Sequence, residues 1–265
     1  MNERRAVSKD GTAIAFDRIG EGPPVLLVDG AIAYRGFGPS RPLAKALASR
    51  FTVFTYDRRG RGESGDTAPY AVRREIEDIE ALARQAGGEI FMWGISSGAV
   101  LSLEAALQIP GIRKLALYEP PFIVDNSRPS TESDWASIRQ AIAANRPSDA
   151  AKAFLKSVGV PRFFIAVMRW TPIWSKLKAS AATLPHDAAL VEEHQRGKPL
   201  AGSRWSSVTI PTLVMDGGKS PAWMRNGTQA LARALPNAQY RTLPGQTHDV
   251  KAKAIAPALI EFFIT

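Results

Sequence analysis

Cysteine is absent from this 265-residue chain, which removes disulfides, thiolate metal ligation and a cysteine nucleophile and leaves serine to carry any covalent step. Histidine is scarce. His186, His194 and His248 are the only three, and none forms a short-spaced pair suited to one helix face, so neither a metal nor another cofactor is indicated. Long apolar runs are missing: no stretch approaches the ~20 residues needed to span a bilayer. The start, Met1-Asn2-Glu3-Arg4-Arg5, leads into a polar strand instead of a signal-peptide apolar segment, so the expectation is a cytoplasmic protein without a membrane span. A basic run is lacking too. The net charge of +9 comes from Lys and Arg scattered among acids, as in Arg73-Arg74-Glu75-Ile76-Glu77-Asp78, which reads as solvated surface and argues against nucleic acid as a partner.

What is present is the patterning of an α/β protein. A hydrophobic content of 45% is ample for one large core. Val7 to Phe16 reads as a hairpin around Asp10-Gly11, so the sheet begins antiparallel. Pro24–Val28 and Thr52–Tyr56 are short continuous apolar runs of the length of strands buried on both faces, with a helix from Pro42 to Arg50 between them. A helix from beyond Tyr70 to Gln85 stops at Gly87-Gly88, and strands follow into Ser96 and over Lys114–Tyr118. The alternation breaks from about Phe122 to Ser206, where helical segments run on without a strand. It resumes with a strand at Thr212–Met215, a helix at Trp223–Ala234, a strand at Gln239–Leu243 and a closing helix at Val250–Phe263. The expected organisation is a core in two parts, 1–121 and 207–265, around a helical cap at 122–206. The cap carries Trp135, Phe154, Phe163, Phe164, Met168, Trp170 and Trp174, most of them expected to form its own core and one or two to face a substrate.

The most informative stretch is Phe91-Met92-Trp93-Gly94-Ile95-Ser96-Ser97-Gly98-Ala99-Val100, in which an apolar run enters a Gly-x-Ser-x-Gly turn and leaves as a helix. A serine on a sharp strand-to-helix turn needs neighbours without side chains so that the backbone can double back, and its hydroxyl then stands exposed. The first amides of the helix that follows carry partial positive charge suited to a developing oxyanion. Ser96 is therefore the candidate nucleophile.

Together with three other landmarks, this turn gives the chain a resemblance to the α/β-hydrolase superfamily over nearly its whole length outside the cap. They are Leu26-Leu27-Val28-Asp29-Gly30-Ala31, Tyr56-Asp57-Arg58-Arg59-Gly60-Arg61-Gly62-Glu63-Ser64, and Gly245-Gln246-Thr247-His248. The resemblance implies a mostly parallel eight-stranded sheet with helices on both faces, His248 as general base, and an oxyanion hole from the backbone amides of Ala31 and Ser97. Serine before histidine in the chain fits this superfamily. Asp29 stands where many relatives carry histidine, a change expected to alter hydrogen bonding behind the loop and not the amide donors. The glycines and arginines of the 57–62 loop could suggest a phosphate site, but the strand-to-GxxxxGK pattern is missing and the resemblance gives this turn a structural role.

The acid of the triad departs from the common pattern. Many relatives place an aspartate three residues beyond the glycine of Leu213-Val214-Met215-Asp216-Gly217, and here that residue is Ser220, which cannot be an anion. Glu119, in Leu117-Tyr118-Glu119-Pro120-Pro121, matches an alternative placement after the preceding strand and is the favoured acid. The alternatives are Asp216, or an incomplete dyad in which Glu119 pairs with an arginine. A serine at the elbow points to acyl transfer through an acyl-enzyme on a small-molecule ester, thioester or lactone of largely apolar character. Two other readings stay open on the sequence: cofactor-free perhydrolysis, favoured by a small pocket, and a slow-turnover ligand sensor on the same fold.

Overall fold

The computed structural model describes residues 4–201 and 203–265. Strands β1 (Arg4–Val7) and β2 (Ala13–Ile19) form the expected hairpin, and β3 (Pro24–Val28), α1 (Ser40–Leu47), β4 (Thr52–Tyr56) and α2 (Val72–Gln85) follow. Next come β5 (Ile90–Ile95), α3 (Ser97–Ala106) and β6 (Ile112–Tyr118). Five helices succeed one another before the next strand: α4 (Glu132–Ala143), α5 (Pro147–Ser157), α6 (Arg162–Met168), α7 (Pro172–Ala181) and α8 (Leu184–Val191), with a 3₁₀ turn at Glu192–His194. Strand β7 (Thr212–Gly217), α9 (Ala222–Ala234), β8 (Ala238–Leu243) and α10 (Ala252–Ile264) complete the chain.

The eight strands form one sheet in the order β1-β2-β4-β3-β5-β6-β7-β8, with only β2 antiparallel to its neighbours among the pairings from β2 onward. Parallel strands need crossovers, and each crossover lays a helix on a sheet face, so both faces are covered and the inner strands read as continuous apolar runs. One face buries Leu26, Val28, Met92, Leu115 and Leu117, and the other Val25, Leu27, Trp93, Ala116 and Met215, which is the period of two expected for strands sandwiched between helix layers. Because β5 lies between β3 and β6, the ends of these three strands meet at the middle of one edge. The register sets Gly94 opposite Val28, Ile95 opposite Tyr118, and Tyr118 opposite Met215.

The helical segment between β6 and β7 is held to the sheet layer by charge as well as by packing. Asp187 of α8, in an otherwise apolar stretch, is fully buried and receives Arg58 Nη1 at 2.8 Å, Arg61 Nη2 at 2.6 Å and the Ser97 hydroxyl at 2.7 Å. Arg58 also forms a two-bond fork with Glu75 of α2, and Arg59 forms another with Asp78. The arginines of the 57–62 loop are thus engaged with carboxylates of the protein, consistent with a structural role for that turn.

The large apolar residues of this segment do not share one core. Trp135 and Trp174 are buried, but Phe163, Phe164 and Trp170 are 72%, 57% and 92% exposed. Helix α6 is only seven residues long; it buries Ile165 and packs Met168 against the core, which leaves Phe163 and Phe164 outward.

Replacing Asp187 by alanine would leave Arg61 without a carboxylate partner in a dry site, a class of change that costs about 3–5 kcal/mol. Asp187→Ala is expected to lower the urea midpoint by a corresponding amount. A midpoint within experimental error of wild type would show that α8 is held by packing alone.

Candidate active site

Ser96 directly follows β5 and adopts φ 56°, ψ −129°, a conformation a residue with a Cβ occupies only when its surroundings force it. The forcing comes from the turn. A Cβ on Gly98 would collide with the carbonyl oxygens of Val28 and Asp29, and one on Gly94 with Ser102 Oγ and the Gly98 carbonyl. The glycines flanking Ser96 let β3, β5 and α3 approach closely enough to hold the serine in its strained state. Glu119, one residue beyond β6, also has a positive φ, 45°, and is fully buried. Strain at adjacent strand ends therefore falls on two of the residues singled out from the sequence.

Glu119 Oε2 lies 2.8 Å from His248 Nδ1, and Glu119 Oε1 accepts the Gly217 amide at 2.7 Å. The carboxylate is anchored on one side by β7 and faces the imidazole with the other. The loop that carries His248 is fixed by Tyr118, whose hydroxyl donates to the Thr247 carbonyl at 2.6 Å, and by the Lys219 amide, which donates to the Gln246 carbonyl at 2.8 Å. Asp216 is engaged elsewhere: it accepts from the Tyr240 hydroxyl at 2.5 Å and from Arg225 Nε at 3.3 Å. Ser220 is buried, and its hydroxyl has no partner among the described residues. Of the two acids weighed from the sequence, Glu119 is the one in contact with His248.

Ala31, Ser96, Ser97 and His248 all line a single cavity of about 630 Å³. Neither the Ala31 nor the Ser97 amide donates a hydrogen bond to another described residue. Both stand next to buried cations and carboxylates. Arg61 Nη1 donates to the Gly30 carbonyl at 2.7 Å, and because a trans peptide points its C=O and N–H in opposite directions, this bond also sets the direction of the Ala31 N–H. Ser97 is tied through its hydroxyl to Asp187. Burial drives the Asp187 carboxyl upward in pKa, but Arg61 and Arg58 outweigh it and hold the group below its ordinary value.

Asp29 sits behind this loop. Its side chain accepts from the Ser40 hydroxyl at 2.7 Å, and burial raises its pKa to about 6 against the pull of Ser40, Arg61 and Arg58. His186 stacks on Tyr70, with ring centroids 3.8 Å apart, and His194 packs against Phe122 and Trp205. Burial pushes both histidines towards the neutral form, His194 to about 4.

The remaining cavity wall comes largely from the segment between β6 and β7. Trp135 and Phe154 face the cavity, so two of the aromatic residues noted in the sequence are placed where a substrate could touch them. Among the wall residues with no counterpart in the sequence reading are Asp187, Gln195 and Arg128. Gln195 is buried and satisfied, accepting from Trp135 Nε1 at 2.8 Å and donating to the Pro121 carbonyl at 2.9 Å. A signal for Asp187 was present, since the paired arginines Arg58 and Arg61 at the end of a buried strand demand carboxylates, and Asp187 is the acid within the apolar Leu184–Val191 stretch.

The sequence profile of the Alpha/beta hydrolase family matches residues 10–256, and the chain belongs to that family. A solved structure of an alpha/beta hydrolase from Sphaerobacter thermophilus DSM 20745 is 50% identical to it, with a TM-score of 0.89 over 98% of this chain and 100% of that one. A thermophilic esterase from Thermogutta terrifontis (21% identity, TM-score 0.73, 100% of this chain and 98% of that one) shares the fold. So does an enol-lactonase from Burkholderia xenovorans LB400 (20% identity, TM-score 0.73, 99% and 100%). Among curated proteins, the uncharacterized hydrolase YraK of Bacillus subtilis (strain 168) is 34% identical over 107 residues, a stretch that spans 38% of either protein.

The raised pKa of Asp29 gives a test of its environment. A carboxyl that binds its proton more tightly in the folded state makes the protein less stable as pH rises from about 4 through 6, because ionisation is disfavoured only in the native form. Asp29→Asn removes this dependence, so thermal stability relative to wild type should improve on going from pH 4 to pH 7.5 by ~1–3 kcal/mol. A difference independent of pH would show that Asp29 does not titrate in this range.

Proposed function

We propose that this hydrolase cleaves carboxylic esters, thioesters or lactones through an acyl-enzyme on Ser96, with His248 as general base and Glu119 as the acid that orients it. The observation that carries the reading is the 2.8 Å contact between Glu119 and His248 at the rim of a cavity that also receives the strained Ser96. With Nδ1–H directed at the Glu119 carboxylate, Nε2 is the lone-pair nitrogen free to take the Ser96 proton as Oγ attacks the substrate carbonyl. The amides of Ala31 and Ser97 would receive the oxyanion of the tetrahedral intermediate. Collapse expels the alcohol or thiol with the proton returned by His248, and water attacking the acyl-enzyme by the same route releases the carboxylic acid and restores Ser96.

Glu119 stabilises the imidazolium formed in each half-reaction, a task the neutral Ser220 hydroxyl cannot perform. In this reading the segment 122–206 is the cap over the core formed by 1–121 and 207–265, and its Trp135 and Phe154 supply apolar contact to the acyl chain. A cavity of about 630 Å³ favours substrates larger than acetate and so supports ester hydrolysis over a perhydrolase.

Wild type should be labelled by a fluorophosphonate probe and should turn over p-nitrophenyl esters of graded chain length, while Ser96→Ala does neither. Labelling of Ser96→Ala to the wild-type extent would overturn the assignment. Glu119→Gln should lower kcat by about 10³–10⁴-fold, the scale on which loss of a triad acid acts, with Asp216→Asn changing it less than about tenfold. The reverse order would move the acid to Asp216.

A further inference from the structure

Most cations buried near this site are matched by carboxylates. Arg58 has Glu75 and Asp187, Arg59 has Asp78 and Asp10, and Arg61 has Asp187. Arg128, in the stretch between β6 and α4, differs. Its guanidinium is partly buried, lines the cavity, and forms no ion pair with any described residue. It is nonetheless held in place. Nη2 donates to the Ser157 carbonyl at the end of α5, and the guanidinium plane lies over the Trp223 ring of α9, 4.3 Å from its centroid. Ser157 and Trp223 are themselves cavity walls, so a cation is clamped from two sides with Nε and Nη1 making no bond to the described residues. Burial lowers the pKa of this guanidinium against a weak opposing pull from Asp134, the signature of a cation whose counter-charge is not supplied by the fold.

The electrostatics of the rest of the wall point the same way. Lys219, in the loop after β7, lines the cavity as a second cation. Of the acids there, Asp187 is consumed by Arg58 and Arg61, which leaves the exposed Asp249 beside His248. The rest of the lining includes the apolar Trp135, Phe154, Val191 and Met224. A partly buried guanidinium with an open pair of donors is complementary to a planar carboxylate, and a carboxylate on a short hydrocarbon chain fits a cavity that carries cations among apolar side chains.

Resting on the hydrolase reading above, we infer that the substrate is an acyl compound bearing a second, free carboxylate, and that Arg128 is the residue that binds it. The ester or lactone bond is presented to Ser96 and the remote carboxylate to Arg128. The apolar character expected of the substrate then describes the chain between the two groups and not the whole molecule.

The test compares monoethyl esters of glutaric, adipic and pimelic acids with neutral partners in which the free carboxyl is a primary amide, assayed with wild type, Arg128→Gln and Arg128→Lys. Wild type should prefer at least one carboxylate ester by about tenfold or more in kcat/KM, as expected for a charge-assisted hydrogen-bonded pair in a partly dry site. In Arg128→Gln the ratio should fall towards one through KM, and Arg128→Lys should recover part of it. A ratio near one in wild type, or one preserved in Arg128→Gln, overturns the inference.

Should Arg128→Gln fail to fold, competitive inhibition of wild type by butyrate and butyramide replaces it, and equal or weaker inhibition by butyrate overturns the inference. The two proposals fail separately. Turnover of neutral esters without carboxylate preference removes the Arg128 subsite and leaves the hydrolase reading intact. Arg128-dependent calorimetric binding of butyrate by a protein that hydrolyses no ester does the reverse.

Discussion

A single carboxylate organises the centre of this molecule. Asp187 is donated by the helical segment between β6 and β7, yet every group it touches belongs to the sheet layer: Arg58 and Arg61 from the loop after β4, and Ser97 from the turn after β5. Through Arg61 it connects to the Gly30 carbonyl, and through Ser97 to the residue after the proposed nucleophile. The amide directions on both sides of Ser96 are therefore linked to the seating of α8. Burying two guanidiniums among carboxylates contributes little net stability, because desolvation offsets most of the Coulomb attraction. What such a cluster supplies is geometry: it has one satisfied arrangement, and any shift of α8 exposes an unpaired charge.

The same accounting explains why Arg128 stands out. Arg58, Arg59 and Arg61 are each held by at least one carboxylate, with further hydrogen bonds filling their remaining donors. A chain that satisfies its buried charges so fully has no evident structural use for a partly buried guanidinium with open donors. Stacking on Trp223 and bonding to the Ser157 carbonyl fix its direction without neutralising it, which is how a residue meant to meet an external anion is kept ready.

Much of the fold was legible in the sequence because its signals are local. Pro24–Val28 and Thr52–Tyr56 are read as strands with the same limits that the structure shows, since both are uninterrupted apolar runs closed by turn residues. The Gly-x-Ser-x-Gly turn was visible because its steric demand falls on consecutive residues. The contact between Glu119 and His248 spans 129 positions and was reachable through the chemical argument that Ser220 cannot be an anion together with the alternative acid placement that the resemblance implies. The helical segment was least legible. Phe163, Phe164 and Trp170 have the composition of a core but lie on a short helix and the turn after it, where they are left exposed, and the cavity-facing Arg128 and Gln195 lie in stretches without periodicity.

In the proposed mechanism the acid follows β6, which changes what the loop after β7 is free to do. Where an aspartate three residues beyond Gly217 serves the histidine, that loop has to hold a charged side chain towards the imidazole. Here it holds Ser220, whose buried hydroxyl has no partner among the described residues, and backbone serves the site instead: the Gly217 amide at the end of β7 binds Glu119 and the Lys219 amide of the loop braces the histidine loop. The Lys219 side chain is left to line the cavity with Arg128 and Trp223. In the proposed mechanism the chemistry is then confined to the ends of β3, β5 and β6 and the loop after β8. The loop after β7 and the parts of the segment between β6 and β7 outside α8 face the substrate, so its selection can vary there while Asp187 of α8 keeps the reacting groups in place.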